Sequence, residues 1–158
     1  AALEDQPALP GPLSRYRGLP LLDASGRMTT LGELVGAPRP VVLSFWATWC
    51  APCAVEGRRL ARLRKTWPDS RLAIVGLNVD NRPDPVRLER FQQKAQMNYD
   101  QGREARAVYT AMAEREALAL PRTYVFDAGG RPTAAFGRFF GERTLRAIDE
   151  AVARVLAS

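Results

Sequence analysis

The chain has 158 residues, 46% of them hydrophobic and 25% charged, a balance that fits one globular domain and excludes a collagen-like or disordered chain. No apolar run approaches the ~20 residues that a membrane span needs. The net charge of +6 comes from arginines scattered among acids, with lysine only at Lys65 and Lys94; the one dense run, Gly57 to Lys65, has no aromatic interleaving and reads as a solvated helix face, so nucleic acid is not an expected partner and docking of a negatively charged protein is the alternative.

The opening "AALEDQPALPGPL" is small, polar and proline-rich, and residues 1–18 read as a loosely ordered tail or tether before a domain at residues 19–158. The start at Ala1 rather than Met leaves room for a removed signal peptide or membrane anchor. Leu19 to Gly36 reads as two short strands turning at Ser25-Gly26, then a brief helix with Thr30 and Glu33 as its capping box. "PVVLSFW", Pro40 to Trp46, is a continuous apolar run, the pattern of a buried central strand. A helix is expected from about Pro52 to Trp67, with Leu60, Leu63 and Trp67 inward and Arg58, Arg59, Arg62 and Lys65 largely off that stripe.

Arg71 to Asp80 reads as a second buried strand, and "NRPDPV" then starts a helix with Leu88, Phe91 and Ala95 on one face. Ala105, Val108, Tyr109 and Met112 mark a further helix. "RTYVFD" (Arg122 to Asp127) is a third strand, turned by "AGGR" into "PTAAFG", and an amphipathic helix from about Glu142 to Leu156 closes the chain. Strands alternating with helices imply an α/β layer structure with parallel pairing, to which a terminal hairpin adds antiparallel strands.

Both cysteines, Cys50 and Cys53, stand in "FWATWCAPCAVE", where a strand hands over to a helix. A disulfide closing so short a loop gains little as a staple, since the entropy removed from the unfolded chain grows with loop length. Structural zinc wants four Cys or His ligands, and with two cysteines and no histidine neither a metal nor a cofactor is expected. A peroxidase thiol usually follows a Thr or Ser by three residues, and Ala47 stands there. Thiol–disulfide exchange fits: it needs an attacking thiolate and a second thiol to resolve the mixed disulfide. Cys50 at the helix N-terminus, where free N–H groups favour the anion, is the expected nucleophile, and the more shielded Cys53 the resolving thiol. Pro52 suits the first helical turn. Glu56 lies on the same stripe as Leu60 and Leu63, so desolvation is expected to raise its pKa above ~4.3 and fit it to take the Cys53 proton. An outward salt bridge to Arg59 is the alternative.

"FWATWCAPC" followed by "LALPRTYVFD" resembles the thioredoxin superfamily, and within it the TlpA/ResA-like extracytoplasmic thiol oxidoreductases, from about Leu19 to Ala153. The resemblance implies a thioredoxin fold: a central mixed β-sheet flanked by helices, with an N-terminal strand extension and a central insertion between Asn81 and Leu120. The Gln96 to Met112 part of that insertion reads as more helical than strand-like. It also implies a cis Leu120-Pro121 bond facing the disulfide, with Trp49, Pro52, Leu120 and Pro121 as an apolar rim that receives the client. Ser44 stands where cytoplasmic thioredoxin carries a buried aspartate, and Glu56 matches the acid of the TlpA/ResA-like group. The cytochrome-maturation branch reads G-V-P-E around the proline; this chain reads Ala-Leu-Pro-Arg. The implied protein is a periplasmic or otherwise extracytoplasmic monomer that reduces disulfide-containing client proteins and is recharged by a membrane thiol carrier of the DsbD or CcdA type. A protein-disulfide oxidant and a redox-inactive client-binding module stay open as alternatives.

Overall fold

The structure, a computed structural model, describes residues 6–158. Two short strands, β1 (Pro20–Asp23) and β2 (Met28–Thr30), lead into helix α1 (Leu31–Val35). The Thr30 side chain caps α1 by accepting from Glu33 N–H at 3.2 Å. The reciprocal half of the capping box is replaced: Thr29 Oγ1 donates to the Glu33 carboxylate at 2.7 Å. The buried run becomes β3 (Val41–Trp46) and the helix behind the cysteines becomes α2 (Ala51–Thr66). Next come β4 (Ala73–Asn78), α3 (Pro85–Lys94), β5 (Asp100–Arg103) and α4 (Arg106–Ala113). The hairpin β6 (Arg122–Phe126) and β7 (Pro132–Phe136) precedes the closing helix α5 (Glu142–Ala157).

Among the described residues seven strands form one mixed sheet in the order β2-β1-β5-β4-β3-β6-β7. The central pairs β3–β4 and β4–β5 are parallel, whereas β3–β6 and β6–β7 are antiparallel, so helices must cross over both faces. Side chains alternate between the faces. Leu43, Phe45, Val75, Tyr124 and Phe126 join the core on one face, which extends to α1, α3 and α4. Val42, Ile74 and Val125 join Leu60, Leu63, Ile148 and Val152 of α2 and α5 on the other. This is the layered, mixed-sheet arrangement that the resemblance implies.

Two expectations need correcting. The stretch read as helical between Gln96 and Met112 contains strand β5, which pairs with β4 in parallel and with β1 antiparallel. Its sequence, Asp-Gln-Gly-Arg, lacks the apolar pattern of a strand because its neighbours supply the bulk: a Cβ on Gly102 would lie 2.7 to 3.0 Å from the side chains of Leu21, Leu34 and Leu77. Nor is the whole of residues 7–18 a loose tail. Leu13 and Tyr16 are core residues, a 3-10 turn runs over Leu13–Arg15, and Leu13 N–H donates to Gly130 O at 2.8 Å. One leucine and one tyrosine suffice to dock the segment, which its proline content obscures. Residues 1–5 of the expected tail, and any anchor before Ala1, lie outside the described residues.

Candidate active site

The β3–α2 junction brings the two cysteines to the end of the central strand. Cys50 is the N-cap of α2 and its Sγ lies 3.3 Å from Cys53 N–H, with Pro52 in the first turn where a missing N–H costs nothing. The cysteines form a disulfide with 5.3 Å between their Cα atoms. In this oxidised state Cys50 is only 5% exposed and Cys53 2%, so the expected contrast between an open and a shielded thiol is small. The neighbouring Trp49 side chain stands out at 59% exposed.

The loop ahead of the cysteines is held from β4. Asp80, just past that strand, accepts from Thr48 N–H at 2.9 Å and from Thr48 Oγ1 at 2.7 Å. Beneath the loop, the Trp46 ring stacks on Phe91 with centroids 4.8 Å apart, and its indole N–H donates to Gln101 Oε1 at 3.0 Å. The β5 strand thus reaches the site through one buried hydrogen bond.

Glu56 points inward at 1% exposure. The Arg59 partner left open on sequence is occupied elsewhere: its guanidinium bridges Glu142 at 2.8 Å and Asp149 at 2.5 Å on α5. Glu56 instead accepts a hydrogen bond from the Thr123 hydroxyl. Ser44 and Thr123 are direct cross-strand partners on β3 and β6, so both hydroxyls face α2, with their oxygens 3.1 Å apart. Burial pushes the Glu56 carboxyl up to about 7, against the Thr123 and Ser44 hydrogen bonds that favour its ionised form. The nearby Tyr99 phenol is raised well above its ordinary range, by burial first and by the Glu56 charge second. Glu56 follows Cys53 by three residues on α2, a rise of about 4.5 Å along the helix axis between their Cα atoms.

The Leu120–Pro121 peptide bond is cis, and Pro121 is buried. Arg122 is the register partner of Phe45, so Pro121 stands just past the ladder, level with Trp46 and the loop that carries Cys50. Leu120 packs on the apolar cluster that contains both cysteines. Ser44, Thr123, Thr48 and Asp80 were not singled out on sequence as site residues. A usable signal existed for two of them: Ser44 inside the apolar run "VVLSFW" and Thr123 at the head of "TYVF" are small hydroxyl residues that burial obliges to find a partner.

The AhpC/TSA family model matches residues 16–131. Over 135 residues the chain is 24% identical to the thiol-disulfide oxidoreductase ResA of Bacillus thuringiensis subsp. konkukian, covering 84% of this chain and 72% of that protein. It is 41% identical over 54 residues to the thioredoxin-like protein YneN of Bacillus subtilis, and that match spans 34% of this chain and 30% of YneN. A Mycoplasma pneumoniae thioredoxin is 37% identical over 54 residues, 34% of this chain and 51% of its own length. The chain thus spans a third to a half of the length of these last two relatives. Among solved structures, a secreted Mycobacterium tuberculosis disulfide oxidoreductase homologous to E. coli DsbE superposes with a TM-score of 0.69 at 21% identity, over 89% of this chain and 98% of that one. A thioredoxin family thiol:disulfide interchange protein from Chlorobium tepidum gives 0.67 at 20% identity, over 94% and 98%. The chain belongs to the AhpC/TSA family, with the thioredoxin fold of the solved structures it superposes on.

Proposed function

We propose that the chain is a thiol–disulfide oxidoreductase that reduces disulfides of extracytoplasmic client proteins. The observation that carries this reading is the Cys50–Cys53 pair at the N-terminal turn of α2, with the buried Glu56 carboxyl three residues further along the same helix. In the reduced protein the Cys50 thiolate attacks one client sulfur, forming a mixed disulfide and releasing the other client sulfur as a thiolate. Cys53 gives its proton to Glu56 and attacks Cys50 Sγ, releasing the second client thiolate. Two electrons pass from the dithiol to the client; the two client thiolates are protonated by the Cys53 proton, released again from Glu56, and by one proton from solvent that balances the one Cys50 lost on ionising. Near pH 7 Glu56 is divided between its two forms, the condition under which a proton acceptor works best.

Trp49, Pro52, Leu120 and Pro121 form the apolar rim against which the client's backbone lies. ResA and the secreted oxidoreductase homologous to DsbE support an extracytoplasmic site of action. A membrane thiol carrier of the DsbD or CcdA type then returns the disulfide to the dithiol. Among the described residues no helix is long and apolar enough to cross a membrane. Insulin reduction by the dithiol protein, followed by equilibration with glutathione, tests the reading. Turnover and a potential in the reducing range of thioredoxin support a client reductant; a strongly oxidising potential makes it an oxidant, and no turnover leaves only a binding module.

A further inference from the structure

Beside the cysteine loop, a surface cavity of about 260 Å³ is lined by Thr48, Arg87, Arg90, Phe91 and Lys94. The three cations recur at i, i+3 and i+7 of α3, which puts them on one side of that helix, next to buried Phe91. All three are exposed, and among the described residues none makes a salt bridge. Arg58 of α2 donates to Lys94 O at 3.3 Å, tying α2 to the C-terminal end of α3. Two acids stand near: Asp80, which accepts from Thr48 N–H and Oγ1, and Asp84, which caps α3 by accepting from Val86 N–H at 2.9 Å; neither makes an ion pair with the three cations. Glu89 lies across α3 from the cations and its carboxylate bonds Gln93 at 3.4 Å. Thr48 is two residues before Cys50, and the exposed apolar side chains of Trp49 and Val55 flank the same loop.

We infer that this cavity is the electrostatic half of the client-docking surface, and that the client carries an acidic segment next to its reactive disulfide. The inference rests on the oxidoreductase reading and adds the chemistry of the partner. Three exposed cations on one side of α3, none ion-paired with a carboxylate, repel one another, an arrangement that a bound anionic partner relieves. Their place at the mouth of the cysteine loop favours a client protein over a free anion. An apolar anchor at Trp49 bordered by cations matches the division between a desolvated centre and a charged rim that steers encounter.

The test compares three disulfide-linked peptides that are identical except for Asp, Asn or Lys residues flanking the cysteine. Rates of reduction by the dithiol protein are measured at low and at high salt. The acidic peptide should react about ten- to a hundredfold faster than the basic one at low salt, with the gap closing at high salt. The triple variant Arg87→Glu, Arg90→Glu, Lys94→Glu should abolish that preference and leave the neutral peptide within about twofold. Reversal of Arg131 and Arg154, on the β6–β7 turn and the last turn of α5, should leave the preference in place. Equal rates for the three peptides, or a preference that survives the triple reversal, would overturn the acidic client while leaving the oxidoreductase intact. Failure of all three peptides to react would remove the oxidoreductase reading and this inference with it.

Discussion

Thr123 donates its hydroxyl hydrogen to the Glu56 carboxyl across the interface between β6 and α2, two residues after the cis bond at Pro121. The strand that follows the proline and the helix that carries the cysteines are therefore joined by a titratable hydrogen bond. Its acid titrates near neutrality because burial outweighs the two hydroxyls. Stability must then depend on pH in a stated direction. The folded carboxyl holds its proton up to about 7, whereas the ordinary value is 4.5, so between those limits the folded state binds more protons than the unfolded one. The stabilising difference is fully present below pH 4.5 and is lost as pH rises through 7, by about 3 kcal/mol. Glu56→Gln should flatten that slope. Urea unfolding of both proteins at pH 5 and pH 8 measures it, and parallel slopes would show that Glu56 does not titrate in this range.

Removing the hydroxyl of Thr123 withdraws a hydrogen bond that favours the carboxylate. Thr123→Val should therefore raise the Glu56 pKa further above 7 and move the pH dependence of Cys53 reactivity the same way. Ser44→Ala should act in the same direction. A carbon-13 titration of the Glu56 carboxyl reads this directly; a downward shift in either variant would contradict the assigned hydrogen bonds.

The two tryptophans of the motif should separate folding from docking. Trp46 is buried, stacked on Phe91 and bonded to Gln101, so Trp46→Ala should lower stability by about 3–5 kcal/mol. Trp49 is largely exposed, and Trp49→Ala should change stability by no more than about 0.5 kcal/mol. The same variant should slow reduction of a protein disulfide by about tenfold while sparing a small disulfide. Chemical denaturation and paired kinetics distinguish the two effects. A Trp49→Ala protein as active on proteins as the parent would take the rim away from Trp49.

How far the chain could be read from its sequence depended on where each residue finds its partners. The strand at Val41–Trp46 and the helix behind it were legible because unbroken apolar runs and the Leu60–Leu63 stripe are local signals. The inward turn of Glu56 followed from the same stripe. Its partner Thr123 did not, since 67 residues separate them and only the pairing of β3 with β6 brings them together. Strand β5 was hidden for a related reason: Gln101 and Gly102 are shaped by the surfaces of Trp46, Leu21 and Leu77, and neither carries the period-2 apolar pattern. The packing of Leu13 and Tyr16 was masked by the surrounding prolines, which say where a helix cannot form but not what the segment lies against.

The division of labour between the two thiols is open to direct mass-spectrometric measurement. Reduced wild-type protein, Cys50→Ser and Cys53→Ser are each mixed briefly with a disulfide-bonded protein substrate, quenched with acid, and weighed intact. This division of labour requires a covalent adduct through Cys50 that accumulates in Cys53→Ser, no adduct in Cys50→Ser, and a closed Cys50–Cys53 disulfide in the wild type. An adduct through Cys53 in Cys50→Ser, formed as fast as the Cys50 adduct, would contradict it, and so would the absence of any adduct in Cys53→Ser.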